Sequence, residues 1–311
     1  MRQQIRRLLF GDENIKEYAA VSSNNIQREI VLLQVNNINI NVTEKHYLFC
    51  LEPIIFGIWI ETPSVIFNEV NVKYTMAVID ATSENTIAQL TLSYFNYIKN
   101  ENGFLLLLKV DNSKINHLNF FTTRFLFNRF YSKPKFSYKK FKELAAAYSY
   151  PKRVRIISFK EGNYYNIFPM DLLGDIKSIT GNYYAFGLRH TNNALLKIIE
   201  SRKLVVCEVG FEHKALIYTL GSHHSINPPP IESLPFKVFN SQSFGFFVPE
   251  WVESYKEVEI KTTINLGSHM LLWGEVKNKQ AVSALTGGLS HIHYLLYLYH
   301  KKKGNNYLLA P

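Results

Sequence analysis

Cysteine, charge and long apolar runs are all scarce in this chain of 311 residues. Its two cysteines, Cys50 and Cys207, are too few and too far apart for a disulfide scaffold or a CxxC zinc site. Charged residues make up only 19% of the sequence. The most apolar stretch, residues 47–60, is interrupted by Glu52 and Pro53 and falls short of the ~18–20 residues of a membrane helix. We therefore expect neither a disulfide-rich fold nor a membrane-spanning helix.

Several motifs of well-known chemistry are also missing. The sequence has no glycine-rich phosphate loop of the dinucleotide or nucleoside triphosphate type, and no GxSxG, HExxH or kinase signature. The basic amino terminus is followed only by Leu8, Leu9 and Phe10 before Gly11, which is too short an apolar stretch for a secretory signal. The sequence thus predicts a cytoplasmic protein with no membrane partner.

The composition is otherwise that of a folded protein with an excess of positive charge. Hydrophobic residues make up 47% of the chain and aromatic residues 14%, so wholesale disorder is excluded. The chain has 35 Lys and Arg against 25 Asp and Glu, a formal net charge of +10. Such an excess favours an anionic partner, which could be a nucleic acid, a membrane surface or a small phosphate-bearing ligand.

The first half of the sequence reads as a mixture of strands and helices. Two-fold alternation of apolar residues over 27–41 predicts strands, and residues 56–60, 73–79 and 104–110 read as further strands. We predict helices over 86–99 and 137–148, the second capped by Ser137. The expectation is an α+β amino-terminal domain, residues 1–147, of unknown role.

A domain boundary is predicted near Pro151, after which the pattern becomes mainly β. Residues 154–159 and 164–168 read as a hairpin, and residues 183–188, 204–209, 258–264 and 270–276 as further strands. Residues 193–201 and 292–300 have helical spacing. Strands joined by short turns, with one or two helices, indicate a β-barrel rather than a parallel doubly wound sheet. The fold class expected for residues 148–311 is therefore mainly β.

The segment from Phe120 to Lys142 is both basic and aromatic. Cations for phosphates and rings for stacking are what a binder of single-stranded nucleic acid needs. The rings are crowded, however, so we interpret most of them as core and the charges as a solvated face. Binding of nucleic acid or another polyanion stays a lesser alternative.

Three short segments in the second half carry the candidate site residues. In the first, residues 166–171, a strand leaves the sheet and enters a loop. In the second, residues 186–193, a strand end passes into a helix start, where free backbone N–H groups suit an anion. Arg189 adds a cationic fork to Thr191, Asn192 and Asn193, so a phosphate would fit. The alternative is that Thr191 or Asn192 merely caps the helix and that Arg189 pairs with a surface carboxylate.

The third segment is Gly267 to Val276, a glycine loop that feeds an apolar strand and places Ser268 and His269 at its rim. Eight of the ten histidines follow residue 189, so convergence of His213, His223, His224 and His269 on a metal is conceivable. Adjacent histidines on an extended segment point to opposite faces, so we predict no metal site. His223 and His224 are expected to line a loop.

These segments follow one another in an order that resembles the flavin reductase-like proteins of the FMN-binding split-barrel family. The glycine-x-histidine strand at Gly267 resembles a strand near the end of those proteins. The hairpin after Pro151, the loop at Pro169, the strand-to-helix segment at Arg189 and the strand 204–209 occur in the same order. The resemblance covers about residues 148–300 and implies a split β-barrel.

The resemblance also implies a cofactor, a reaction and the residues that serve them. It places an FMN isoalloxazine and ribityl chain along Phe168, Pro169, Met170, Asp171 and Leu172. It further places the phosphate at Arg189, Thr191, Asn192 and Asn193, and the cofactor edge or a dimer partner at Ser268 and His269.

The expected activity is electron transfer from NAD(P)H to a flavin or another acceptor, with His269 as the candidate catalytic residue and a homodimer as the assembly. A split barrel that binds FMN or another ligand without turnover is the alternative.

Overall fold

A computed structural model describes the parts of the chain used below. They are residues 17–23, 28–36, 38–61, 72–179, 181–221, 227–284, 287–304 and 307. Within these residues the protein is mainly β, as the sequence predicted. No helix among them is long and apolar enough to cross a membrane.

Eight strands come from the first half of the chain. They are β1 (Tyr18–Ser23), β2 (Glu29–Val35), β3 (Ile38–Asn41), β4 (His46–Leu51), β5 (Ile54–Glu61), β6 (Tyr74–Asp80), β7 (Thr86–Asn100) and β8 (Gly103–Ile115). Seven of them form the first sheet, in the order β3-β2-β6-β7-β8-β5-β4, with every neighbouring pair antiparallel. Val31, Leu33 and Val35 of β2 are buried and alternate with more exposed residues, the pattern of a strand with one face on a core.

The helix predicted over residues 86–99 is wrong, because this segment is the long strand β7. It is rich in threonine, isoleucine, tyrosine and other β-formers, and it pairs with β6 on one side and β8 on the other. Leu90 and Leu92 are buried on one face of the strand. Hydrogen bonding on both edges and this burial outweigh the helical spacing that the sequence also allowed.

The second half contributes eleven strands. They are β9 (Lys152–Arg153), β10 (Arg155–Glu161), β11 (Tyr164–Met170), β12 (Leu173–Ser178), β13 (Gly181–Arg189), β14 (Lys203–Glu208), β15 (Val238–Asn240), β16 (Phe247–Pro249), β17 (Ser254–Asn265), β18 (His269–Ala281) and β19 (Gly288–His293). The second sheet has the order β11-β10-β14-β17-β18-β13-β12, and β15 and β16 form a separate two-stranded sheet. The predicted hairpin and strands of this half are confirmed.

The two sheets have the same topology. When the seven strands of each sheet are numbered along the chain, both sheets read two-one-five-six-seven-four-three. Strands β4 and β12 are therefore corresponding third strands, β5 and β13 corresponding fourth strands, and β8 and β18 corresponding seventh strands. The first half thus repeats the strand arrangement of the second, although no sequence repeat announces it.

Helices lie between and beside the strands. They are α1 (Phe120–Leu126), α2 (Tyr138–Ala147), α3 (Leu195–Ser201), α4 (Lys214–Gly221) and α5 (Tyr294–Lys302), and a π-helical turn over Phe127–Tyr131 follows α1. Ser137 caps α2, since its side chain accepts a hydrogen bond from the backbone N–H of Lys140. A small sheet of β1, β19 and β9 joins the start of the described chain to its end.

The two sheets meet through a shared apolar cluster, which we call the inter-sheet core. It contains Phe49, Cys50, Ile55, Trp59, Ile98, Leu105 and Leu107 of the first sheet with Ile176, Ala185, Leu266, Leu271 and Trp273 of the second half. Trp59 and Trp273 stack with ring centroids 6.1 Å apart. A Cβ on Gly187 would lie 1.8 Å from the carbonyl oxygen of Phe49, so only glycine lets β4 approach β13 this closely.

Candidate functional site

The fold brings Arg189 and His269 side by side. They form the last pair of the antiparallel ladder between β13 and β18. The sequence separates them by 80 positions, and the strand pairing alone makes them neighbours. We call this place the Arg189–His269 corner. Arg189 is exposed, and within the described part of the chain its side chain has neither an ion pair nor a hydrogen bond. Its guanidinium is therefore available to an anion.

A tight loop ahead of β18 fixes the position of His269. The backbone N–H of Leu266 donates to the carbonyl of His269 at 2.9 Å, and that of Gly267 donates to Asn265 Oδ1 at 2.9 Å. Gly267 has a φ of 111°, and a Cβ there would lie 2.6 Å from the carbonyl oxygen of Glu52. Both facts require glycine, which explains the glycine of the predicted motif.

Cys50 of the first sheet reaches into this loop. Its Sγ lies 3.4 Å from Ser268 Oγ and 3.5 Å from His269 Nδ1, while Ser268 Oγ lies 2.7 Å from the same nitrogen. The backbone N–H of Ser268 donates to the carbonyl of Glu52 at 2.8 Å. Residues of both halves thus share Nδ1 of His269. Nothing in the sequence linked Cys50 to this segment, because the two are more than 200 positions apart.

His269 is buried and neutral. The residue is 1% exposed, and Nε2 has no hydrogen-bond partner among the described residues. Burial lowers the pKa of His269 to about 4, with further lowering from the charges of Arg189 and His190. The ring therefore carries no charge at neutral pH, and Nε2 is the nitrogen left for a ligand.

Of the residues that follow Arg189, some are free to contact a phosphate and one serves the start of the helix. Thr191 and Asn193 are exposed. Asn192 is buried, and its Oδ1 accepts a hydrogen bond from the backbone N–H of Ala194 at 2.8 Å. Helix α3 begins at Leu195, two residues later than predicted, and has seven residues. Asn192 therefore serves the turn before the helix, which is the capping alternative for this residue.

The segment Phe168 to Leu172, which was predicted to follow a strand into a loop, belongs mostly to the strand itself. Strand β11 continues to Met170, with Pro169 tolerated because β11 is an edge strand. Phe168 is buried in the core of the second sheet, and Pro169 and Met170 are half-buried. Only Asp171 and Leu172 connect β11 to β12. The carbonyl of Leu172 accepts from the N–H of Gly187 at 2.8 Å, which places this connection two residues from Arg189 along β13.

Asp171 holds a chain of hydrogen bonds that the sequence did not reveal. Its Oδ2 lies 2.8 Å from His291 Nδ1 and accepts from Tyr148 OH at 3.2 Å. On the other side of the ring, His291 Nε2 lies 2.9 Å from Tyr218 OH, within hydrogen-bond distance. Burial raises the pKa of Asp171, but the hydrogen bond and charge of His291 outweigh it, and the pKa falls below its ordinary value. The carboxylate is thus kept charged.

Glu52 and Lys140 complete the surroundings of the corner. Lys140 of α2 donates to the carboxylate of Glu52, and this hydrogen bond and charge lower the pKa of Glu52. The sequence offered only one signal for Glu52, its interruption of an apolar run. Helix α2 thus positions a carboxylate of the first sheet near Arg189.

The four histidines considered as metal ligands in the sequence, His213, His223, His224 and His269, can be followed only in part. His223 and His224 lie outside the described residues. Among the residues that the structure does describe, no group of three or more His, Cys, Asp or Glu side chains is placed to hold a metal ion.

The basic aromatic segment has more exposed rings than predicted. Phe127 and Tyr131 are buried, but Phe120, Phe121 and Phe125 are 66%, 83% and 46% exposed. The side chains of α1 therefore divide between a buried and an exposed face, and an exposed group of three rings remains. The interpretation that most rings lie in the core is wrong for α1.

Comparison with known proteins gives a resemblance at the level of solved structures. No family model matches the chain, and neither does any curated protein. The FMN-binding protein from Thermus thermophilus is 17% identical, with a TM-score of 0.38 over 42% of this chain and 71% of that chain. The NADH:FAD oxidoreductase of Streptomyces globisporus is 12% identical, with a TM-score of 0.42 over 48% of this chain and 86% of that chain.

The styrene monooxygenase flavin reductase from Pseudomonas putida is 12% identical, with a TM-score of 0.41 over 54% of this chain and 96% of that chain. The solved structures to which this chain is similar are flavin reductase and FMN-binding split-barrel proteins, as the sequence resemblance predicted, at low identity and over about half of the chain.

Proposed function

We propose that this protein binds FMN and moves electrons from NAD(P)H to a flavin or another acceptor, as a flavin reductase does. The observation that carries the proposal is the pairing of Arg189 with His269. A guanidinium and a buried neutral imidazole lie on adjacent strands, and neither the guanidinium nor Nε2 of the imidazole has a partner among the described residues. One can hold a phosphate and the other can contact an uncharged ring system.

The residues present fit FMN in most, though not all, of the predicted positions. Arg189, Thr191 and Asn193 are exposed and offer donors for the phosphate, whereas Asn192 is occupied by its hydrogen bond to Ala194. Pro169 and Met170 remain accessible in part, whereas Phe168 belongs to the core. The buried, unpartnered Nε2 of His269 is the kind of polar atom that a ligand satisfies.

The roles of the protein groups follow from their surroundings. When bound, FMN supplies the ring that accepts and passes on electrons. Arg189 binds and orients, and Ser268 and Cys50 fix the imidazole of His269 through Nδ1. Because its pKa is lowered to about 4, His269 acts as a neutral hydrogen-bonding group and not as a general acid at neutral pH.

The layout proposed for the chain follows the sequence boundary. Residues 148–311 form the FMN-binding split-barrel domain, and residues 1–147 form a second domain whose strand β4 supplies Cys50 beside the site. A homodimer remains part of the proposal, and molecular mass in solution tests it.

An FMN titration of single variants tests the site. We expect Arg189→Ala to weaken FMN binding about tenfold or more, because a charge-assisted hydrogen bond contributes about 1.5–3 kcal/mol. Quenching of flavin fluorescence measures the affinity. Arg129→Ala is the matched control, since Arg129 is an exposed arginine on the π-helical turn and is not one of the proposed site residues. Equal affinities for the wild type and Arg189→Ala would contradict the assignment.

Reduction of the bound flavin distinguishes an enzyme from a binding module. Under anaerobic conditions, bleaching of the flavin absorbance by NADH or NADPH supports the reductase. Flavin that binds but stays oxidised supports the non-catalytic module. A protein that ignores added FMN rules out both.

The exposed rings of α1 favour one second candidate, binding of single-stranded nucleic acid. Phe120 and Phe121 stack edge to face with centroids 5.7 Å apart, and Arg124 lies on the same helix. Bases stack on such rings while cations contact the phosphates. A gel shift that weakens steeply with salt supports this candidate, and no shift at low salt rejects it.

A further inference from the structure

A cavity of about 810 Å³ lies between the first sheet and the start of the second half. Residues of β4, β9 and β12 line it, among them His46, Lys152 and Lys177. Of the residues assigned to the flavin site above, only Asp171 also lines it. The cavity is therefore a second place in the molecule where a small molecule fits. The flavin proposal assigns no role to His46, Lys152 or Lys177.

Lys152 is an unusual group in the wall of this cavity. The residue is 6% exposed, and no carboxylate in the described chain lies within ion-pair distance of its amine. The hydrogen-bond partner of Nζ is His46 Nε2 at 3.3 Å, and the rings of Phe56 and Tyr150 lie 5.3 Å and 5.4 Å from the amine. A buried amine without a counter-ion is costly to keep charged.

His46 presents a lone pair to this amine. Its Nδ1 lies 2.9 Å from the carbonyl oxygen of Val42, which can only accept, so Nδ1 carries the proton. Nε2 is then the acceptor of a hydrogen bond from Lys152. This bond uses one N–H of the lysine and leaves the nitrogen lone pair of the neutral amine for another partner.

The charge state of Lys152 agrees with this geometry. Burial lowers its pKa from 10.5 to about 7, and the charge of Asp171 opposes the shift without cancelling it. The neutral fraction at pH 7 is therefore on the order of a thousandfold larger than for an ordinary lysine. Neutral amines are the nucleophiles that attack carbonyl carbons.

The remaining charges of the cavity favour a ligand with an acidic group. Arg153 and Lys177 line it, and neither has an ion pair within the described residues. Most of its carboxylates are already engaged: Glu29 with His300, Glu61 with Lys45, Asp171 with His291 and Asp175 with Lys256. Glu44 is the exception. Unpaired cations thus exceed unpaired carboxylates, and a carboxylate or phosphate on the ligand is the complement.

We infer that Lys152 forms an imine with a small aldehyde or ketone that carries an acidic group and enters this cavity. The amine nitrogen attacks the carbonyl carbon, and its proton passes to the carbonyl oxygen to give a carbinolamine. The hydroxyl group then leaves as water with the second N–H proton of the amine, and the carbon–nitrogen double bond forms. No electrons are transferred, so no oxidant or reductant is required, and FMN takes no part.

Reductive trapping tests the inference on the unaltered protein. Glyoxylate is added with cyanoborohydride at pH 7, the reaction is stopped at low conversion, and peptide mass spectrometry maps the modified lysines. We expect at least tenfold more label on Lys152 than on any other lysine. Lys256 is the internal control, because it is nearly as buried as Lys152 but forms an ion pair with Asp175 at 2.7 Å.

Two further comparisons make the outcome decisive. Acetaldehyde, which lacks the carboxylate, should label Lys152 several-fold more slowly than glyoxylate. Lys152→Arg should lose the dominant label while retaining the thermal transition of the wild type. Label spread evenly over surface lysines, or acetaldehyde reacting at Lys152 as fast as glyoxylate, overturns the inference. The mapping on the wild type does not depend on how the variant folds, and it reads the cavity independently of flavin binding.

Discussion

The two seven-stranded sheets share one strand order, but they differ in what their connections carry. Between the fifth and sixth strands, the first sheet has only residues 81–85, whereas the second has residues 209–253, which include α4 and the β15–β16 pair. Helix α4 supplies Tyr218 to the Asp171 chain of hydrogen bonds. One topology thus builds both cores, and the inserted elements place polar groups around only one of them.

The sheets also differ in their roles at the contact between them. The first sheet presents the backbone of β4 and the side chain of Cys50, and the second presents Gly187 and the Arg189–His269 corner. A homodimer would need a further surface for its partner, because this face of β13 and β18 is already covered within one chain. Separating the two sheets and altering each sheet by itself are therefore different experiments.

The largest expected effect comes from separating the sheets. Gly187→Ala would place a Cβ 1.8 Å from the carbonyl oxygen of Phe49, where the clash is with backbone and cannot be relieved by a rotamer change. We expect destabilisation of about 3 kcal/mol or more, or loss of folded protein. Urea denaturation followed by circular dichroism measures the free energy of unfolding.

Gly181→Ala is the control on the same strand. A Cβ at Gly181 would come no closer than 3.4 Å to any atom, and its φ is not in the left-handed region. We expect a change of less than about 1 kcal/mol. Similar losses in the two variants would show that glycine in β13 matters for the strand and not for the contact between sheets.

The pH dependence of stability compares one buried histidine at the seventh strand of each sheet. His269 begins β18, and His117 follows the end of β8, and burial lowers their pKa values to about 4 and about 3. A histidine in the unfolded chain has a pKa of about 6.5. Below that pH the unfolded state therefore binds protons that the folded state, with its lower pKa values, does not bind. Stability from both residues is full above pH 6.5 and falls as the pH drops towards 4.

Single substitutions assign that loss to each sheet. His269→Gln should remove about 3 kcal/mol of the difference in unfolding free energy between pH 7 and pH 4, and His117→Gln a similar amount. Denaturant titrations at the two pH values measure it. If stability does not change between pH 7 and pH 4 in the wild type, both imidazoles are protonated in the folded protein and the assignment fails.

The sequence predicts elements better than it predicts contacts between them. Strands β5, β6, β8, β10 and β13 and helix α2 follow from alternation, spacing and the Ser137 cap. Strand β7 does not, since its apolar residues fit either period and its pairing with two neighbours decides the outcome.

The candidate site divides in the same way. Arg189, Ser268 and His269 stand out in their own segments, and their proximity depends on strand order. Cys50 beside Ser268, Asp171 beside His291, and Lys152 beside His46 depend on contacts between distant segments of the chain, which no local pattern encodes. The repeated topology could not be predicted from the sequence for the same reason. It consists of the order in which the strands pair, and no residues are repeated.

The smallest expected effect concerns a single contact across the inter-sheet core. Trp59 of the first sheet and Trp273 of the second stack with an interplanar angle of 21°. An aromatic pair of this kind contributes about 0.5–1.5 kcal/mol beyond the area it buries. A double-mutant cycle with Trp59→Leu and Trp273→Leu isolates that coupling from the larger cost of each truncation.

Trp273 also stacks on Tyr183 of its own sheet at 5.2 Å. A second cycle with Tyr183→Leu therefore compares coupling within one sheet to coupling between sheets. Couplings of similar size in the two cycles are expected if the sheets pack as one unit. A coupling near zero for the tryptophan pair alone would mean that the two sheets associate without a fixed geometry, and that the corner bearing His269 forms without the first sheet.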